Sequence, residues 1–90
     1  KRKKMIKVIK FYANWCGPCK VYAKSFDKVA EELKDTYEFV NVNIEEDTTG
    51  LAAQYKVNGI PTTVVIDGEK VKSETGRMDE KRLKAFIGSE

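Results

Sequence analysis

The sequence predicts an α/β fold in the order βαβαββα: a four-stranded mixed sheet with helices on both faces. Three observations predict it. Apolar, β-branched runs recur at residues 5–13, 37–44 and 62–66. Residues 20–34, between the first two runs, carry apolar side chains at helical spacing. Asp67-Gly68, a strong hairpin signal, joins the third run to an answering one at 70–75. A long helix between consecutive strands makes them parallel through a right-handed crossover, and a two-residue turn makes the next pair antiparallel.

Taken in order, residues 5–13 hold Val8, Ile9, Phe11 and Tyr12, apolar on both faces, which marks a central strand. In residues 20–34, Val21, Phe26, Val29, Ala30 and Leu33 form one stripe, with lysines and acids opposite. After the second strand, residues 45–50 form a polar loop in which Thr48 or Thr49 caps a short helix through about residue 55, ended by Asn58-Gly59. Pro61 precedes the third strand, and Gly76 breaks the fourth. Asp79 is the N-cap of a last helix to about residue 87 that buries Leu83, Phe86 and Ile87.

Ninety residues, 41% of them hydrophobic, give one small core and one domain over 1–90, with 1–4 as a basic tail. No apolar run approaches the ~20 residues of a membrane span. Lys7 and Lys10 interrupt the first apolar run, so no signal-peptide core is visible. The net charge of +3 is uneven: residues 1–10 hold six Lys or Arg and no acid, and the other eighty carry −3. A basic arm suits nucleic acid or an acidic partner. Without interleaved aromatics for base stacking we read it as a solvated tail. The expectation is a monomer without membrane or nucleic-acid partners.

Chemistry concentrates in Trp15-Cys16-Gly17-Pro18-Cys19, where a strand gives way to a helix. The only two cysteines stand three apart, which reads as catalytic or metal-binding in a reducing, cytoplasmic compartment rather than as the staple of a secreted fold. With no His and no second cysteine pair, a zinc site within the chain is not expected. The helix start leaves N–H groups unpaired and a partial positive charge, so a thiol of ordinary pKa roughly 8.5 ionises more readily at Cys16. Gly17 allows the turn, and Pro18 has no N–H to lose there. Cys16, its sulfur exposed at the edge, is the candidate nucleophile. Cys19, one turn on, is the candidate resolving group that attacks Cys16 and releases the reduced substrate. A merely structural bridge gains little from so short a ring.

These residues with Lys20, together with Gly59-Ile60-Pro61-Thr62 and the lone Gly76 ahead of the last helix, resemble the thioredoxin family over about residues 5–88. The resemblance implies the minimal thioredoxin-like core, without the family's extra N-terminal strand and helix, and so near glutaredoxins in outline. It implies a cis Ile60–Pro61 bond, where the residue alone reads as an ordinary trans proline. It also implies an apolar substrate-facing surface of Trp15, Gly59, Ile60 and Gly76, with the Ile60 backbone free to pair with an extended substrate. Three positions depart from the family. Lys10 stands where a buried carboxylate is usual, Asn41 where a lysine often accompanies it, and Lys24 where the helix usually has a proline, so less kink is expected. Lys10 shares a face with Ile6, Val8 and Tyr12 and is read either as a base for Cys19, as a stabiliser of its thiolate, or as a side chain snorkelling to solvent.

The sequence therefore points to a protein-disulfide reductase cycling Cys16–Cys19. Thioredoxin reductase or a glutaredoxin-type donor would supply electrons, and no dissociable cofactor is implied. The alternatives are a glutathione-linked, glutaredoxin-like oxidoreductase, against which Gly17-Pro18 argues, and an accessory binding subunit using the Trp15–Ile60–Gly76 surface.

Overall fold

A computed structural model describes residues 5–88; the basic tail, residues 1–4, lies outside them. The order is β1 (Ile6–Tyr12), α1 (Gly17–Leu33), β2 (Tyr37–Asn43), α2 (Leu51–Gln54), β3 (Thr62–Asp67), β4 (Lys70–Thr75) and α3 (Glu80–Ile87). The sheet runs β2-β1-β3-β4. β1 pairs parallel with β2 and antiparallel with β3, and β3 pairs antiparallel with β4. The predicted βαβαββα mixed sheet is thus the observed one, with β1 central.

Alternation on β1 and β3 divides the core. Val8 and Val65 face α1 and α3, packing with Tyr22, Phe26, Val29, Met78, Leu83 and Ile87. Ile9, Phe11 and Val64 face the other way, toward α2 and the loops around it. On the first face Phe26 makes edge-to-face contacts with Tyr22 and Phe39, at 5.7 Å between centroids in each case. A hydroxyl pair crosses this interior, Tyr22 Oη to Thr63 Oγ1 at 2.7 Å, so neither polar group is buried unpaired. Ser25 Oγ donates to the Met78 carbonyl at 2.7 Å, tying α1 to the segment before α3.

Three expectations are corrected. Val21 is 52% exposed, and Tyr22 takes its place in the buried stripe of Cys19, Tyr22, Phe26 and Val29, because Tyr22 stands four residues before Phe26 and Val21 stands five. Thr48 and Thr49 do not cap α2. The Asp47 carboxylate does, accepting the N–H of Leu51 at 3.2 Å and of Ala52 at 2.8 Å, while Gly50 occupies the cap position at φ +75°. Phe86 is only partly buried, although Leu83 and Ile87 are core residues. Asp79 does cap α3, accepting the Arg82 N–H at 2.8 Å.

Candidate active site

The C-terminal ends of the parallel strands β1 and β2 open on the same rim of the sheet, where α1 starts. Cys16 is the N-cap of α1 in extended conformation, and its carbonyl accepts the Lys20 N–H at 3.2 Å. Pro18 fills the first turn, where a missing N–H costs nothing. The two sulfurs are joined as a disulfide. The Cys19 N–H also donates to Cys16 Sγ at 3.1 Å. A donor aimed at that sulfur, on the positive end of a 17-residue helix, favours negative charge there once the bond is opened.

Both cysteines are less accessible than their place at a helix start suggests. Cys16 is 5% exposed and Cys19 2%, clustered with Ala13 and flanked by Tyr12, Ile44 and Ile60. The expected exposure of the Cys16 sulfur is thus corrected: the loop before β3 folds over it, bringing the Ile60 carbonyl oxygen to 4.0 Å from Sγ. The Ile60–Pro61 bond in that loop is cis. Thr62 Oγ1 donates to the Gly59 carbonyl, and Pro61 O accepts the Gly76 N–H at 2.7 Å, so the β4 end fixes the loop from behind. Gly59 is close against β4, where a Cβ would stand 3.3 Å from Thr75 Cγ2. Gly76, at φ +113°, has the backbone that side chains rarely adopt.

Trp15 stands at the outer lip, 65% exposed rather than core-packed. With Ile44, Ala52, Val57, Gly59 and Ile60 it lines a mainly apolar groove. Gly76 is not among the residues lining that groove; it is joined to the loop through its N–H on the Pro61 carbonyl. The indole N–H donates to Glu45 Oε2 at 2.7 Å, a partner the sequence reading missed. The signal was available: Tyr12 pairs with Asn43, so two residues further Glu45 must run beside the segment that carries Trp15.

On the other side of the disulfide, beneath α1, Lys10 is 4% exposed, so it does not snorkel to solvent. Its Nζ lies 4.9 Å from the Phe26 ring centroid and 5.4 Å from that of Tyr12. Burial lowers the affinity of this amine for its proton, opposed by the negative charge of Asp27.

A cysteine pair set at a helix start, backed by a cis-proline loop, defines a thiol–disulfide oxidoreductase. The chain belongs to the thioredoxin family, whose model, Thioredoxin, matches residues 1–89. It is 35% identical over 81 residues to a thioredoxin of Mycoplasmoides gallisepticum, covering 89% of this chain and 79% of that protein. It is 39% identical over 77 residues to one from Mycoplasma genitalium, covering 84% and 74%. Among solved structures, the germline-specific thioredoxin Deadhead from Drosophila melanogaster superposes with a TM-score of 0.82 at 27% identity, over 94% of this chain and 80% of that one.

Proposed function

We propose that the chain is a protein-disulfide reductase, with Cys16 as nucleophile and Cys19 as resolving group. The observation that carries this reading is the bonded Cys16–Cys19 pair at the start of α1, with the Cys19 N–H on Cys16 Sγ. In the reduced protein the Cys16 thiolate attacks a substrate disulfide. One substrate sulfur leaves as thiolate and the other becomes bonded to Cys16. Cys19 then attacks Cys16 Sγ, closing the intramolecular disulfide and releasing the second substrate sulfur. Two electrons pass from the chain's dithiol to the substrate, whose two thiolates take up protons.

Trp15, Gly59 and Ile60 support this chemistry as the docking groove, since Ile60 packs against the cysteines and shares the groove with Trp15 and Gly59. An extended substrate lying there can pair with the Ile60 backbone. Pro61 and Gly76, joined by the Gly76 N–H on the Pro61 carbonyl, extend this substrate-facing surface, and Gly17 and Pro18 shape the turn that presents Cys16. The electron donor is of the thioredoxin-reductase or glutaredoxin type, and the setting is a reducing one such as the cytoplasm.

Insulin reduction with dithiothreitol tests the reading. The protein is expected to precipitate insulin chains faster than dithiothreitol alone, Cys16→Ser to lose the effect, and Cys19→Ser to accumulate a mixed disulfide. No acceleration by the parent protein would overturn it. Turnover with glutathione as sole reductant would favour a glutaredoxin-like role. A couple far more oxidising than the cytosolic poise would indicate disulfide donation.

A further inference from the structure

Beneath α1 lies a charge that the exchange steps above do not use. Lys10 stands mid-sheet, opposite Asn41 on β2 and Thr63 on β3, on the face that α1 covers. Its neighbour two residues back on that face, Val8, is wholly buried core, and an apolar side chain at position 10 would continue it. Among the described residues, Nζ has no hydrogen bond or ion pair; its close company is the faces of Phe26 and Tyr12. Those faces attract an ammonium without neutralising it. Lys10 also shares with Cys19 the wall of a pocket of about 330 Å³.

The other charged or titratable groups facing this pocket are few. α1 contributes Asp27 and Lys20, both exposed, and the Asp27 charge reaches Lys10. β1 adds the Tyr12 hydroxyl, and β2 adds only the amide of Asn41. Thr63, the β3 neighbour of Lys10, is engaged by Tyr22. Lys10 is therefore the one buried formal charge on this wall.

Resting on the reading of Cys19 as resolving group, we propose that Lys10 is a positioning residue for the second half of the exchange, its ammonium holding Cys19 as the thiolate that attacks Cys16. In the mixed disulfide, Cys19 is a free thiol. It loses its proton to solvent, and the resulting anion is matched across the pocket by Lys10. Attack on Cys16 Sγ forms the Cys16–Cys19 bond and breaks the bond from Cys16 to the substrate sulfur, which departs with the electron pair and takes up a proton. The negative charge leaves with the substrate, and Lys10 stays cationic throughout. Without this cation, desolvation of so buried a thiol would push its pKa up and slow the step at neutral pH.

The test isolates Cys19 in a Cys16→Ser background and follows its ionisation by thiolate absorbance and by alkylation rate against pH. With Lys10→Met the Cys19 pKa is expected to rise by about one unit or more, leaving roughly tenfold less thiolate at pH 7. Lys10→Gln, a second neutral variant, is expected to do the same, and Lys10→Arg to hold the pKa near its starting point. An unchanged Cys19 pKa in either neutral variant, with native circular dichroism, overturns the proposal. A rise in Lys10→Arg matching that in Lys10→Met also overturns it, because a cation at position 10 would then not be what holds the thiolate. None of these measurements needs a substrate, so failure of the insulin assay and failure here are separate results.

Discussion

On one face of the sheet, Val8 and Val65 are roofed by a 17-residue and an 8-residue helix; on the other, Ile9, Phe11 and Val64 lie under a 4-residue helix and loops. Nearly every side chain packed on the second face stays partly exposed, from Val40 and Val42 to Tyr55 and Ile60. The disulfide sits at the rim where the two faces meet, its cysteines from the well-covered side and Ile60 from the thinly covered one. The difference teaches a division of labour. The thick face supplies rigidity and can hold a buried ammonium between aromatic rings. The thin face grades into the mainly apolar groove lined by Trp15 and Ile60.

Removing a large side chain from each face should break this symmetry most visibly. Phe26→Ala is expected to cost about 3–5 kcal/mol, much of a small domain's stability, whereas Leu51→Ala on the thin face should cost about 1 kcal/mol by chemical denaturation. The next effect is alkaline. Burial raises the Tyr22 hydroxyl from 10.0 to about 12, against the Thr63 hydrogen bond. Between those values the fold keeps a proton that the unfolded chain has lost, so stability falls as pH rises. The loss is on the order of 2 kcal/mol by pH 12, and Tyr22→Phe should remove it.

Lys10→Met sharpens the comparison in the opposite direction. The amine's depressed pKa means the folded state binds its proton less well than the unfolded chain, so Lys10 costs stability that grows as pH falls below 10.5. The variant should be more stable at neutral pH by about 1 kcal/mol, seen as a higher thermal midpoint, with the gain fading as pH rises from the depressed value toward 10.5. The smallest effect belongs to the thin face. The amides of Ala52 and Leu51 hold the Asp47 carboxyl below its ordinary 3.8. Its contribution is present above that value and is lost as pH falls through the depressed one. Asp47→Ala should speed hydrogen exchange at Leu51 and Ala52 while leaving the global midpoint nearly unchanged.

Element order and types were legible because hydrophobic period and turn chemistry speak locally: 70–75 and the Asp79 cap are where the sequence puts them. The cysteine pair, Pro61 and Trp15 were legible through a spaced motif. Val21 and Tyr22 are adjacent and both apolar enough to fill the stripe; the four-residue spacing from Tyr22 to Phe26 chooses between them, a signal the sequence already carried. Several features depend on tertiary closeness that period cannot carry. The cover over Cys16 comes from Ile60, 44 residues away. A threonine beside an aspartate is an equal cap on paper, and the loop's path gives the role to Asp47. Lys10 is the instructive case, since alternation placed it on the α1 face and only the packing of Phe26 and Tyr12 shows that it stays there.

Neither of the two larger clusters contains a sulfur of the Cys16–Cys19 ring. A cross-link between residues three apart restrains little of the unfolded chain. Both larger clusters can therefore stay packed whether the ring is open or closed, and the core does not have to be rebuilt when the bond is cut.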